Sequence, residues 1–183
     1  VGEISGRYFV MWAGIGLDAT ILGSVSIKEK KALGSWAYVF NAIGLSSHIP
    51  GIDICLDLDG KIVKTRSSLV VVSNIQLYGG IMAIGANACV NDGKLDICIF
   101  KGDGFFTYVQ HAMNVLSHRH LKDPKVEYYQ ASKIKVESTH PLPVHVDGEL
   151  FSKSPVTIRT LPSSLKVIVP KITQGNLFGP ITR

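Results

Sequence analysis

A chain of 183 residues with 46% hydrophobic side chains is long enough to bury a substantial single core, and its net charge of +5 is a mild basic excess. The basic residues are not interleaved with aromatics in the manner of a nucleic-acid surface, no apolar run approaches the roughly 20 residues of a membrane-spanning helix, and nothing has the form of a signal peptide. Cys55, Cys89 and Cys98 are odd in number and lack CxxC spacing, so reduced thiols of a soluble cytoplasmic protein are expected rather than a disulfide framework or a zinc site.

In chain order, Tyr8-Phe9-Val10-Met11-Trp12 predicts an opening strand, and its closeness to Val1 is expected of the C-terminal part of a longer protein. A glycine-rich turn, Ala13-Gly14-Ile15-Gly16, then leads through Leu17 to Asp18, ahead of a helix-compatible stretch. Leu33, Trp36, Ala37 and Phe40 recur at i, i+3, i+4 and i+7, with Ile43 beyond, and predict a helix over about residues 29–46. Next, Ile52, Ile54, Leu56 and Leu58 alternate with Asp53, Cys55 and Asp57, and Asp59-Gly60 turns the chain into a second strand over residues 61–74. Within it, Leu69-Val70-Val71-Val72 reads as buried on both faces. After the Leu95-Asp96-Ile97-Cys98-Ile99 strand, Phe105, Val109, Ala112, Met113 and Leu116 predict a second helix, with His111, His118 and His120 expected at the surface.

Alternating runs at residues 133–137, 144–146, 156–159 and 165–169 predict the remaining strands, with a strand closing the domain near Pro170 and an irregular tail over 173–183. Close spacing with turns between them argues for a mainly β fold with two helices, its antiparallel sheets packed as a sandwich or flattened barrel. Lys28-Glu29-Lys30-Lys31 and His118-Arg119-His120-Leu121-Lys122 read as solvated helix ends that would also suit an anionic membrane surface or a phosphate.

Four Asp-Gly pairs punctuate the chain, and Asp147-Gly148 alone is followed at once by a second carboxylate, Glu149. Alternation puts Val144 and Val146 on one face, so His145, Asp147 and Glu149 are expected to project from the other, where carboxylates suit proton or metal chemistry. A simple hairpin turn is the competing reading.

Three segments taken together carry a resemblance. They are Ala13-Gly14-Ile15-Gly16-Leu17-Asp18-Ala19; Ser73-Asn74-Ile75-Gln76-Leu77-Tyr78-Gly79-Gly80 with the later Ala86-Asn87-Ala88-Cys89-Val90-Asn91-Asp92-Gly93-Lys94-Leu95-Asp96; and Val146-Asp147-Gly148-Glu149, followed by Pro155. In this order and spacing they resemble the C-terminal domain of the bacterial diacylglycerol kinase-like lipid kinases, relatives of the sphingosine and ceramide kinases, over about nine-tenths of the chain. The chain departs from that pattern at Ala86, where a proline is usual, and at Gly79-Gly80, where three glycines are frequent.

The resemblance implies a two-domain kinase of the diacylglycerol kinase/NAD kinase-like fold, with residues 1–172 as the β-rich acceptor-side domain. This chain has no Gly-Gly-Asp-Gly, so the nucleotide-binding domain is expected elsewhere and the fragment alone is expected to be inert. Glu149 matches the position of the base, and Asp147 is the runner-up base or a magnesium partner, or equally the acid that shapes the turn. Asp92, with the backbone carbonyls of Cys89 and Lys94, matches a magnesium site, the competing reading being a type I′ hairpin at Asn91-Asp92-Gly93. Asp18 stands where relatives hold the polar head of the lipid, or is an N-cap. Asn74, at the end of a strand, either orients a loop or contacts the nucleotide. ATP and Mg2+ are the implied cofactors, a lipid hydroxyl at the inner membrane face the implied acceptor, and a homodimer possible. An NAD kinase-like domain and a non-catalytic lipid-binding module are the alternatives.

Overall fold

The computed structural model describes residues 1–17, 19, 20, 51–77 and 82–168. They form eleven strands: β1 Gly2–Ile4, β2 Arg7–Phe9, β3 Trp12–Gly16, β4 Ile52–Leu58, β5 Lys61–Ser73, β6 Leu95–Lys101, β7 Val126–Ala131, β8 Lys133–Ser138, β9 Pro143–Val146, β10 Glu149–Lys153 and β11 Val156–Thr160. One complete helix, α1, spans Phe105–Leu116. The helix expected over about 29–46, Asp18 and the 173–183 tail lie outside the described residues.

Every strand pairing is antiparallel, in the order β10-β9-β3-β5-β4-β8-β11-β1-β2, with β6 on β5 and β7 on β6. Turn chemistry sets several of these pairings. Ser5-Gly6, Asp59-Gly60 and Asp147-Gly148 each place two successive residues at positive φ (49° and 88°, 52° and 93°, 46° and 85°), the type I′ geometry whose twist matches that of the strands it joins.

The sheet forks at Ser67. This residue pairs with Ile52 of β4 and with Lys101 of β6, so β4 and β6 lie on opposite edges of β5. Beyond a register shift between Ser67 and Leu69, β5 keeps β6 on one edge and takes β3 on the edge that β4 has left. The Ser67 hydroxyl holds the irregularity together, donating to the Phe100 carbonyl at 2.7 Å and accepting the Leu69 N–H at 3.1 Å. Inward faces on either side of the fork then close on one core that includes Ile4, Ile15, Leu56, Val70, Val72, Ile97, Ile134, Val144 and Ile158. Each such side chain stabilises the fold by about 1.5–3 kcal/mol through burial.

The opposite face of β5 and β6 carries Val71, Cys98 and Phe100, which form a smaller core with Ile84 and with Val115 of α1. Burial on both faces is what the unbroken Leu69-Val70-Val71-Val72 run predicts, and Val70, Val71 and Val72 are all buried. Gly85 brings the 82–90 loop onto the end of β5, where a Cβ would sit 2.7 Å from the Ile75 carbonyl oxygen and 2.9 Å from the Ser73 Cβ.

Four expectations need correction. Tyr8 to Trp12 is not one strand: the chain bends at Val10 and Met11 between β2 and β3. The glycine-rich segment is not a turn but β3 itself, with helical geometry starting at Leu17. Residues 165–168 form no strand and are exposed, because β11 already pairs with β8 on one edge and β1 on the other. His111 and His120 are buried, at 3% and 1% exposure, because they flank Phe100 with ring centroids 5.3 and 6.5 Å away; only His118 is at the surface.

Candidate functional site

The β9–β10 hairpin brings Asp147 against the bend between β2 and β3. Its carboxylate accepts the backbone N–H groups of Val10, Met11 and Trp12 at 2.8, 2.9 and 2.9 Å, and its own N–H donates to the Trp12 carbonyl at 2.9 Å. Asn74, one residue past β5, grips the same bend: its Nδ2 donates to the Val10 carbonyl at 2.8 Å and its backbone N–H to the Met11 carbonyl at 2.8 Å. A bend with few ladder bonds of its own is thus fixed by residues more than sixty positions away.

Two residues beyond Asp147, Glu149 behaves differently. Its side chain is 72% exposed and its Oε2 accepts a hydrogen bond from the Arg7 guanidinium, leaving Oε1 without a partner among the described residues. Arg7 lies 5.4 Å over the Phe151 ring, so the cation facing the carboxylate is itself steadied by an aromatic face. Tyr8, Val10 and Leu150 expose apolar side chains along the same strands and bend. The arrangement offers an accessible carboxylate on a rigid turn. His145, expected beside these acids, is instead buried.

The second acidic feature follows from residues 89–94. The Asp92 N–H donates to the Cys89 carbonyl at 3.4 Å, and Asp92 Oδ1 accepts the Lys94 N–H at 2.9 Å. Gly93 has φ 73° but Asp92 does not share a positive φ, so the turn is not a type I′ hairpin, and residues 83–90 immediately before it form no strand. The Thr160 hydroxyl at the end of β11 pins the turn by donating to the Gly93 carbonyl at 2.9 Å.

Just past this turn, Asp96 is 1% exposed. Its Oδ1 accepts from the Tyr128 hydroxyl at 2.8 Å and Gln130 Nε2 at 3.0 Å, while Oδ2 is buried with no hydrogen-bond partner among the described residues. Burial lifts its carboxyl above the ordinary aspartate range, the Tyr128 and Gln130 hydrogen bonds oppose that rise, and neighbouring Asp92 adds to it.

Register places these features together. Trp12, Ser73, Asp96 and Gln130 face one another across β3, β5, β6 and β7. Asn74, Asp147, Glu149 and the Asp92 turn therefore gather at one end of the sheet. No cluster of three or more His, Cys, Asp or Glu side chains suited to a metal occurs among the described residues. The donors at residues 89–94 are oxygens of one carboxylate and of backbone carbonyls, the hard ligands that magnesium takes with waters retained.

The family model for the YegS C-terminal NAD kinase beta sandwich-like domain matches residues 12–169. The chain belongs to this family. Among curated relatives it is 25% identical over 171 residues to the diacylglycerol kinase of Bacillus subtilis (strain 168), covering 93% of this chain and 56% of that protein. To the diacylglycerol kinase of Staphylococcus carnosus (strain TM300) it is 24% identical over 172 residues, again 93% and 56%. The crystal structure of a diacylglycerol kinase from Bacillus anthracis str. Sterne superposes with a TM-score of 0.67 at 25% identity, over 88% of this chain and 52% of that one. The resemblance read from the motifs holds, and this YegS C-terminal domain spans about half the length of those relatives.

Sequence reasoning missed Arg7 and Asp96. Arg7 meets Glu149 across 142 positions, and no local pattern announces that. Asp96 did carry a signal, an acid inside the apolar run Leu95-Asp96-Ile97, since the strand has both faces buried.

Proposed function

We propose that this YegS C-terminal domain is the acceptor side of an ATP-dependent lipid kinase, transferring a γ-phosphate to a hydroxyl of diacylglycerol or a related lipid at the inner membrane face. The observation that carries the reading is Glu149, a solvent-accessible carboxylate on a turn whose other acid, Asp147, is bound by three backbone amides. Phosphoryl transfer asks the protein mainly to position groups and neutralise charge, with a carboxylate receiving the acceptor's proton late, as the phosphoryl arrives. In that division of labour Glu149 is the base, Asp147 and Asn74 position it, and Arg7 orients it. The proton leaves the lipid hydroxyl for the Glu149 carboxylate, the lipid oxygen bonds to the γ-phosphorus, and the bond from that phosphorus to the β–γ bridging oxygen breaks, so that ADP leaves.

Cys89 and Lys94 by their carbonyls and Asp92 by its side chain are the residues that would hold Mg2+, a structural charge at this end of the sheet. Asp96, buried with its Oδ2 unpartnered among the described residues, follows directly on this turn. Asp18 is proposed for the polar head of the lipid. Because the domain covers 56% of the B. subtilis relative, ATP is assigned to the part of such a protein that this chain lacks, and the 183-residue chain alone should not turn over.

The test offers radiolabelled ATP to the full-length protein with diacylglycerol, a sphingoid base and NAD side by side. Label in diacylglycerol, and loss of that label in Glu149→Gln, supports the reading. Label in NAD alone, or in no lipid, ends it.

A further inference from the structure

Helix α1 turns part of an apolar stripe away from the protein. Tyr108, His111 and Val115 face the sheet, which leaves Phe106, 84% exposed, and Met113, 61% exposed, near the centre of the outward face, with Phe105 at its edge. Phe105 and Phe106 meet edge to face at 5.5 Å, so the first turn presents a paired aromatic knob. No Asp, Glu, Lys or Arg occurs in Phe105–Leu116.

Charge enters immediately after the helix and with one sign. Arg119, Lys122 and Lys125 are exposed, and none is in an ion pair among the described residues. The one carboxylate in that stretch, Asp123, is buried and held by Asn114 Nδ2 at 2.8 Å and the Lys125 N–H at 2.9 Å. Leu121 stands exposed among the cations.

We infer that α1 and the segment 118–125 form a docking surface for an anionic lipid bilayer. An uncharged helix with aromatic side chains outward, followed by unpaired cations, is the pattern that lies in the plane of a membrane interface: rings and thioether enter the headgroup boundary, and the cations meet anionic headgroups. At 12 residues α1 is about 18 Å long, enough to lie along the interface and too short to cross it. A second copy of the chain is the poorer occupant, since a two-fold contact centred on this face would bring the same cations together. The inference agrees with the lipid-kinase reading and its binding arm does not depend on it.

Sedimentation of the full-length protein with vesicles tests it. Binding is expected with phosphatidylcholine vesicles containing one-third phosphatidylglycerol and not with phosphatidylcholine alone. Phe106→Ser combined with Met113→Ser should weaken the partition coefficient about tenfold, and Arg119→Glu combined with Lys122→Glu by about tenfold or more, with melting temperature and oligomeric state unchanged. Wild-type binding to the anionic vesicles that the Phe106/Met113 variant retains would overturn the inference, as would a variant that loses an oligomer or melts early while keeping vesicle affinity. Turnover of a short-chain, water-dispersed diacylglycerol should survive in the Phe106/Met113 variant. If the wild type phosphorylates no lipid, the kinase reading falls and the vesicle result still decides the docking surface.

Discussion

Asp147 and Glu149 are two carboxylates on one hairpin, separated by a glycine, and their surroundings give them different work. Three backbone amides converge on Asp147, so Asp147→Ala strands those donors and also places alanine at a φ of 46°; a loss of about 2–3 kcal/mol in urea unfolding is expected. Asp147→Asn should keep part of that stability, because asparagine tolerates the left-handed region and retains one acceptor oxygen. Glu149→Gln breaks only an exposed ion pair with Arg7 and should change stability by less than about 1 kcal/mol. In the full-length protein its turnover should fall by orders of magnitude with modest change in lipid binding, a split read from kcat against KM. Local alternation signalled this acidic hairpin. It could not say which acid was left exposed, since the amides that occupy Asp147 come from residues 10–12.

At the scale of elements, the sheet depends on one hydroxyl and the helix on two imidazoles. Ser67→Ala removes the acceptor for the Leu69 N–H and the donor to the Phe100 carbonyl, where β5 changes neighbours, and should cost about 1–3 kcal/mol. On the far side of Phe100, His111 Nε2 donates to the Lys101 carbonyl at 3.0 Å and His120 Nε2 to the Ile84 carbonyl at 3.2 Å, tying α1 and the following turn to β6 and to the 82–90 loop. Burial holds both imidazoles below the ordinary histidine range, and it outweighs the opposing pull of those carbonyls and of Asp123, whose Oδ2 is 3.7 Å from His111 Nδ1. The unfolded chain therefore takes up protons near pH 6.5 that the folded one refuses. Stability should be complete above that pH and decline as pH falls toward the depressed folded values. A urea midpoint lower at pH 5.5 than at pH 7.5 is expected, with the difference smaller in His120→Gln. The helical period of α1 was legible in its apolar spacing; the burial of its histidines was not, because Phe100 reaches them from a separate strand.

Across the whole molecule, the proposed magnesium turn is held to β11 through Thr160 and neighbours the buried Asp96, so an ion there would join parts of the sheet remote in sequence. Mg2+ at ten times its dissociation constant should stabilise the full-length protein by about 1.4 kcal/mol. A thermal shift with Mg2+ in the wild type that persists in Asp92→Ala would remove the assignment.

Strands β4, β5, β6, β8, β9 and β11, the turns at Asp59-Gly60 and Asp147-Gly148, the doubly buried middle of β5 and the family itself were decided by the residues in order, since alternation, Asp-Gly pairs and motif spacing act over a few positions. Only tertiary structure decided that β3 and β4 share one edge of β5, that Asn74 and Asp147 clamp the same bend, that Arg7 faces Glu149, and that Asp96 is buried with an open oxygen. Each of these joins groups distant along the chain, and the hydrogen bonds and desolvation that define them exist only once the sheet has closed.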